Sequence, residues 1–112
     1  MPGASRLEDS IAGMTAGEHS DHPKEHTPLP ITGRISGNCS PNVFINGKPA
    51  AYVGSVTTEY DDCCGSSNGS VASGSSSVFI NGKPAARIGD PLNAHNGSAK
   101  ITGGSGNVFI GG

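Results

Sequence analysis

The sequence is poor in aromatic and hydrophobic residues. Its 112 residues include no tryptophan, and aromatic residues make up 4% and hydrophobic residues 33% of the chain. These proportions leave little material for the core of an ordinary globular domain, and a chain of this length forms one domain at most. Glycine and proline contribute 18 and 8 residues, a share at which low-complexity disorder is the alternative to an ordered fold.

Segments that would direct the chain to a membrane or to nucleic acid are also missing. The longest apolar runs are three or four residues, far below the roughly 20 that a membrane-spanning helix needs. The N-terminus has no apolar stretch of the kind found in a general secretory signal. The formal net charge is −2, without a basic stripe, which excludes a typical nucleic-acid binder. We therefore expect synthesis in the cytoplasm without a signal peptide.

Cysteine is scarce, and its pattern argues against a disulfide framework. The three cysteines are Cys39, Cys63 and Cys64, and adjacent cysteines rarely reach relaxed disulfide geometry. Unpaired thiols in a cytoplasmic product indicate metal binding or no special role. Cys39 lies in a turn rich in glycine and serine, and we expect it to be a small buried filler.

What the sequence does contain is an internal repeat. The run from Val78 to Asp90 is almost duplicated 35 positions earlier, from Val43 to Gly54. Each copy has a β-branched and aromatic run, an Asn-Gly dipeptide typical of a type I′ hairpin turn, and a proline at the start of the return strand. A disordered linker has no need of such self-similarity, so the repeat favours an ordered, all-β fold.

A third copy is split between the two ends of the chain. A third Val-Phe-Ile run occupies residues 108–110, and Ala4–Asp9 matches Ala85–Asp90 in type and order. We therefore expect a single domain spanning residues 1–112, with units of roughly residues 10–54, 55–90 and 91–112 completed by 1–9. Closing these units on one another would give approximate threefold symmetry, and we expect no further domain.

Three segments connect the units, and we interpret them as loops: residues 10–30, 55–70 and 91–100. In a closed threefold arrangement they leave from equivalent places and converge at one end. All four histidines and two of the three cysteines lie in them: His19, His22, His26, Cys63, Cys64 and His95.

Nitrogen and sulfur donors from three converging segments suit a closed, tetrahedral Zn²⁺ site, with iron as the alternative because imidazole also binds it. Histidines in such segments are most often solvated loop residues, but here at least one donor falls in each segment, which favours the metal. A metal would stabilise an end with little hydrophobic core, because its binding free energy becomes folding free energy. The preferred ligands are His22, His26, Cys64 and His95, with His19 and Cys63 as alternates.

The charged residues of the repeat favour structural over catalytic interpretations. Asp9 and Asp90 follow the return strand at equivalent positions, and an Asx-turn role explains this better than a catalytic pair. Lys48 and Lys83 occupy matching hairpin turns, where we expect them to face solvent or a partner. No nucleophile elbow, phosphate-binding loop, zinc-protease motif or nucleotide fingerprint is present.

The repeated residues resemble a known family. Pro84–Arg87, followed by Ile88–Asp90, closely resembles the motif of the PAAR-repeat proteins. Pro49–Gly54 is similar to a second copy with tyrosine in place of arginine, and Ala4–Asp9 to a degenerate first copy. The resemblance covers nearly the whole chain.

The resemblance implies a conical, pseudo-threefold β-prism with a metal bound by histidine and cysteine near its apex. Such a prism sits on the blunt end of a trimeric β-helical spike in type VI secretion systems, contractile phage tails and related particles. The implied partner is a VgrG-like or phage central spike protein, with one tip per trimer and the target membrane touched transiently. The chain would then be a bare tip with no enzymatic activity, on a secretion-system spike or in a virion baseplate. Tyr52, Ser55 and the long His-rich first segment depart from the family pattern and leave the exact ligand set open.

Two other classes of function compete with this interpretation. A small zinc-dependent hydrolase would need an open coordination position and a general base, for which Glu25 and Asp62 are candidates. A free-standing adhesion module would be stable without a trimeric partner.

Overall fold

A computed structural model describes residues 2–14, 30–61, 65–93 and 98–111. These ranges contain ten strands and no helix, which confirms the all-β prediction. The strands are β1 (Ser10–Met14), β2 (Pro30–Gly37), β3 (Phe44–Ile45), β4 (Lys48–Pro49), β5 (Val56–Asp61), β6 (Gly65–Val71), β7 (Phe79–Ile80), β8 (Lys83–Pro84), β9 (Pro91–Asn93) and β10 (Ser98–Ile101).

Short hairpins form over the two intact copies of the repeat. β3 pairs with β4, with Phe44 opposite Pro49, and β7 pairs with β8 in the same register. The turn residues Asn46 and Gly47 have φ values of 54° and 81°, and those of Asn81–Gly82 are 53° and 79°. Positive φ at both central positions is the mark of a type I′ turn. The predicted Asn-Gly turns are confirmed.

The two ends of the chain build a third element of the same kind. Gly3 bridges Phe109 in antiparallel fashion, which is the pairing that proline and phenylalanine make in the intact hairpins. The amide of Ala4 donates to the carbonyl of Val108 at 2.9 Å, and the two intact hairpins make the same bond at the same length. The first and last described segments are therefore joined side by side.

The three return segments meet in a closed ring of hydrogen bonds. The amide of Ser5 donates to Ala86, that of Ala86 donates to Ala51, and that of Ala51 donates back to Ser5, each at 3.0 Å. All three residues have 0% exposure. Three equivalent contacts that close on themselves give the fold its approximate threefold symmetry.

Three longer hairpins, β1–β2, β5–β6 and β9–β10, continue from this ring and close into an antiparallel barrel. Its strand order is β1-β10-β9-β6-β5-β2, and β2 returns to β1. The interpretation of residues 10–30, 55–70 and 91–100 as loops was therefore wrong for β1, β5, β9, and most of β6 and β10. Strands form there because each one is hydrogen-bonded on both sides, so a continuous apolar face is not required.

These hairpins all point towards the same end of the barrel. Met14, the last residue of β1, lies opposite both Pro30 and Ser98, the first residues of β2 and β10. Asp61 and Gly65 are opposite each other at the ends of β5 and β6. The ends of β1, β2 and β10 are thus neighbours, while the convergence of the three connecting segments stays a prediction because most of their residues lie outside the described ranges. We call this end, marked by residues 14, 30, 61, 65 and 98, the tip end, and the end with the short hairpins the base.

The core lies along the long axis of a particle measuring 44 × 23 × 23 Å. Near the base, Ile45, Ile80 and Ile110 pack with small alanines and Tyr52. Above the three-residue ring lies a second layer, built around Ile35, Val71 and Ile101. Towards the tip end the barrel is too narrow for side chains at two points, because a Cβ on Gly13 or Gly33 would collide with a carbonyl oxygen of the neighbouring strand.

Glu8 occupies a left-handed turn position that is glycine in the other two units. Its φ is 74°, and the equivalent Gly54 and Gly89 have φ values of 97° and 93°. We expect Glu8→Gly to raise the free energy of unfolding by about 0.5 kcal/mol, because relief of the left-handed strain exceeds the added flexibility of the unfolded chain. Urea denaturation measures the change. The reverse variant, Gly54→Glu, should be less stable than the parent, and a Glu8→Gly protein less stable than the parent would contradict the argument.

Candidate functional site

The base carries an apolar ring on its outer surface. Each of the three hairpin elements contributes a phenylalanine that is about half exposed, at 57%, 57% and 51%, preceded by a valine that is 37–38% exposed. The ring consists of Val43, Phe44, Val78, Phe79, Val108 and Phe109. Large exposed apolar patches mark interaction sites more often than free surface, and this one follows the threefold arrangement of the fold.

Polar side chains fasten each turn of the base to the neighbouring unit. The amide of Asn46 donates to the side-chain oxygen of Asn107 at 2.9 Å, and Asn81 makes the equivalent bond at 2.9 Å. At the third position the hydroxyl of Ser75 donates to the carbonyl of Gly111 at 2.7 Å. The base is therefore a closed collar, and its exposed phenylalanines are held on a fixed frame.

Asp9 and Asp90 close the turns that follow the return segments. The Oδ2 atom of Asp9 accepts the backbone amide of Arg6 at 2.7 Å and its Nε at 2.8 Å, and Asp90 does the same for Arg87 at 2.7 and 3.2 Å. The hydrogen bonds that each arginine side chain donates to its aspartate raise the pKa of the arginine. The carboxylates are buried in the turn structure, but the predicted Asx turn is wrong, because each aspartate accepts the amide of the residue three positions before it and not two after it.

The second unit closes the equivalent turn without an ion pair. Tyr52 stands in the arginine position, and its backbone amide donates to the hydroxyl of Ser55 at 3.0 Å. The Tyr52 ring is buried, and the Nζ atom of Lys83 lies 4.8 Å from its centroid. Lys48 and Lys83 are both exposed, as predicted for residues that face solvent or a partner.

Cys39 lies beside the upper core layer. It is half-buried rather than fully buried, and it packs against the cluster that contains Ile35. Burial raises the pKa of its thiol, which therefore stays protonated and poorly nucleophilic. This agrees with the predicted filler role, with more exposure than expected.

The predicted metal ligands belong to the segments that leave the tip end. His19, His22, His26, Cys63, Cys64 and His95 all lie outside the described residues, as do the alternative general bases Glu25 and Asp62. Within residues 2–14, 30–61, 65–93 and 98–111, no group of three or more His, Cys, Asp or Glu side chains is placed to hold a metal. The ligand set stays a prediction.

The interior of the barrel near the tip end contains a polar group of side chains that the sequence did not reveal. Glu59 on β5 is only 1% exposed and lies between Gly33 on β2 and Ser67 on β6. In the described part of the chain, the hydroxyl oxygens of Thr57 and Ser67 are buried and have no hydrogen-bond partner. The alternation of Thr57 and Glu59 along β5 would have placed both on one face, but nothing in their neighbours indicated that this face is the inside.

Comparison with protein families identifies the chain. The model of the PAAR motif matches residues 28–98, which is more than half of the sequence. This chain belongs to the PAAR motif family. A search of curated proteins finds no match.

The structure explains what each residue of the PAAR motif does here. Pro84 ends the base hairpin, and the amide of Ala85 donates to the carbonyl of Val78. Ala86 is a member of the buried three-residue ring, and Arg87 pairs with Asp90 to close the turn. The motif is therefore a packing unit: two small residues allow three strands to meet, and a charged pair fixes the turn that follows.

PAAR motif proteins are a structural family of spike tips, which supports a spike-tip type of function in a secretion or contractile system for this chain. The family also supports a spike protein as the partner in general. Among the described residues, no helix has the length and apolar character to cross a membrane.

Proposed function

We propose that this chain caps a trimeric β-helical spike, of the VgrG-like or phage central spike type, and sharpens it for penetration of a target envelope. The observation that carries the proposal is the closed ring of Ser5, Ala51 and Ala86, which gives one polypeptide a threefold base. A single chain with this symmetry can present three equivalent surfaces to the three subunits of a trimer, so we propose one tip per trimer.

Attachment in this proposal uses the base. The strands of the spike continue into the base hairpins, so that main-chain hydrogen bonds supply attachment and side chains set the register. The exposed phenylalanines of the ring, 51–57% exposed in the free chain, lose their contact with water on docking, which favours association by about 25 cal/mol for each Å² of apolar area covered. Docking would also cover exposed strand edges of the base and of the spike.

At the other end we propose a structural metal, Zn²⁺ first and iron as the alternative. His22, His26, Cys64 and His95 are the proposed ligands, with His19 and Cys63 as alternates. The donor chemistry fits a closed zinc site. Support comes from the strand ends beside these segments: β1 ends between β2 and β10, and β5 and β6 end opposite each other. When bound, the metal would crosslink the three long hairpins. Nothing is turned over in this mechanism, and the tip acts by being stiff and narrow.

Docking is tested by mixing the chain with the trimeric spike of its own particle and determining the stoichiometry by native mass spectrometry. We expect one chain per trimer. Phe79→Asp places a charge in the apolar ring at a side chain that is 57% exposed, so it should leave folding intact. It should weaken spike binding at least tenfold, because the charge must be desolvated on docking.

Tyr60→Asp is the matched control, because Tyr60 is 52% exposed but lies on β5 near the tip end. It should bind the spike as the parent does. Loss of binding in both variants, or in neither, would contradict docking through the base. Three chains per trimer would contradict the role assigned to the threefold ring.

A further inference from the structure

One of the three base elements is held together without a covalent turn. In the hairpins β3–β4 and β7–β8, an Asn-Gly turn joins the two strands. In the third element, residues 108–111 lie beside residues 2–4, which come from the opposite end of the sequence. Backbone hydrogen bonds join the two segments, among them the bond from the amide of Ile110 to the carbonyl of Pro2 at 2.9 Å. Other contacts must hold the strand end that a turn holds elsewhere.

The strand of residues 108–111 carries one third of the apolar ring. Its Val108 and Phe109 side chains are 37% and 51% exposed, so their own burial does little to keep the strand in place. Ile110, which is 6% exposed, packs in the core near the base. The position of Phe109 therefore depends on how the strand is fixed on both sides of Ile110.

The carbonyl oxygen of Gly111 accepts two hydrogen bonds from side chains of the second unit. The hydroxyl of Ser75 donates at 2.7 Å and the Nη1 atom of Arg87 at 3.2 Å. At the same time, Nη2 and Nε of Arg87 donate to the carboxylate of Asp90 at 2.9 and 3.2 Å. Hydrogen bonds from a charged donor are stronger than those between neutral groups. Arg87 therefore links a buried turn to the end of the terminal strand.

The same contact occurs at an intact hairpin, with a different acceptor. There the Oδ1 atom of Asn46 accepts the hydroxyl of Ser105 at 2.6 Å and the Nη1 atom of Arg6 at 3.1 Å. Gly111 has no side chain to offer, so its main chain takes the place of the asparagine. Equivalent arginines thus fasten a side chain in one unit and the backbone in another.

We propose that Arg87 is a positioning residue for spike docking: its guanidinium holds the backbone of Gly111 and thereby keeps Phe109 in the apolar ring. The inference rests on the proposed docking through the base. A strand that is fixed before docking does not have to be ordered on binding, so its ordering entropy does not reduce the affinity. Arg6, whose hairpin has a covalent turn, is not needed for this purpose.

The first test measures the affinity of Arg87→Lys for the trimeric spike of its own particle by biolayer interferometry. Lysine keeps the positive charge beside Asp90 but lacks the planar fork that reaches Asp90 and Gly111 together. We expect the dissociation constant to rise about tenfold. Arg6→Lys is the matched control, because it loses the same fork while Asn46 stays in its turn, and it should bind within about twofold of the parent. Equal changes in both variants, or none in Arg87→Lys, would overturn the inference.

Hydrogen exchange in the free chain, followed by NMR, separates a loosened strand from a general loss of stability. The amides of Ala4 and Ala50 make equivalent bonds in the third and first elements, each 2.9 Å long. In Arg87→Lys, exchange at Ala4 should become about tenfold faster relative to Ala50, because the third element opens locally. In Arg6→Lys this ratio should stay within about twofold of the parent. An unchanged ratio in Arg87→Lys would contradict the positioning role.

A head-to-tail circular form of Arg87→Lys distinguishes positioning from direct contact with the spike. Circularisation gives the third element the covalent link that the other two have, and it should restore spike affinity to within about twofold of the parent. A circular variant that binds as weakly as the linear one would mean that Arg87 acts on the spike directly, and would overturn the inference. Failure of docking through the base is detected separately, by unchanged spike binding in Phe79→Asp.

Discussion

Ala86→Leu is expected to lower the free energy of unfolding by about 3 kcal/mol or more, the upper range for overpacking a close-packed core. Ala86 is 0% exposed, and its amide is bonded to Ala51 in the three-residue ring. Three backbones meet there, and each is held by its neighbour at 3.0 Å, so a longer side chain cannot be accommodated by moving one strand. Urea denaturation followed by circular dichroism measures the loss.

Ala86→Ser is the control at the same position. Ser5 already occupies the equivalent place and donates its hydroxyl to the carbonyl of Gly103 at 3.0 Å. The serine variant should therefore cost less than about 1 kcal/mol, the typical net value of one hydrogen bond. A leucine variant as stable as the serine variant would contradict the idea that size limits the ring.

The base could be predicted from the sequence because its structure follows from local chemistry. Asn46–Gly47 and Asn81–Gly82 have a strong preference for one turn type, and the repeat shows that the same hairpin recurs. The second unit has Tyr52 where the other units have arginine, and Ser55 where they have aspartate. The ion pair between arginine and aspartate in those units accounts for both differences. Two positions that contact each other in the other units changed together.

Most of the barrel strands lie in segments that the sequence analysis interpreted as loops; for β6 the reason is that its side chains carry little strand signal. β6 has the sequence GSSNGSV, with no apolar residue before Val71. Such a segment forms a strand only when partners on both sides supply hydrogen bonds, as β5 and β9 do. Glycine is needed where neighbouring barrel strands approach closely, as at Gly33. In the sequence alone, the same glycine indicates a loop.

The inner face of the barrel was hidden from the sequence for a related reason. A glutamate in a polar strand is normally exposed, and Glu59 becomes buried only because β5 is closed over by β2 and β6. Burial here depends on barrel closure, which is a property of all six strands together.

Arg6→Tyr is expected to lower the free energy of unfolding by about 2 kcal/mol, somewhat less than the loss of a fully buried ion-pair partner. The side chains of Arg6 and Asp9 are 14% and 8% exposed, so the variant leaves a carboxylate with little access to water. It also removes the bond from Arg6 to Asn46 in the neighbouring turn, 3.1 Å long. Urea denaturation of the parent, both single variants and the double variant gives a complete cycle.

Adding Asp9→Ser should recover at least about 1 kcal/mol of that loss, because the chain already contains the resulting pair at Tyr52 and Ser55. Arg6 bridges Ala50 as Tyr52 bridges Ala85, so Lys48 is the equivalent of Lys83, whose ammonium lies 4.8 Å from the centroid of the Tyr52 ring. We therefore expect a tyrosine at residue 6 to gain the same cation–π contact with Lys48. A double variant no more stable than Arg6→Tyr would show that Tyr52 and Ser55 are independent changes. Recovery would establish that the PAAR arginine and the aspartate that follows it act as one exchangeable unit, and that the family motif tolerates an uncharged substitute in this chain.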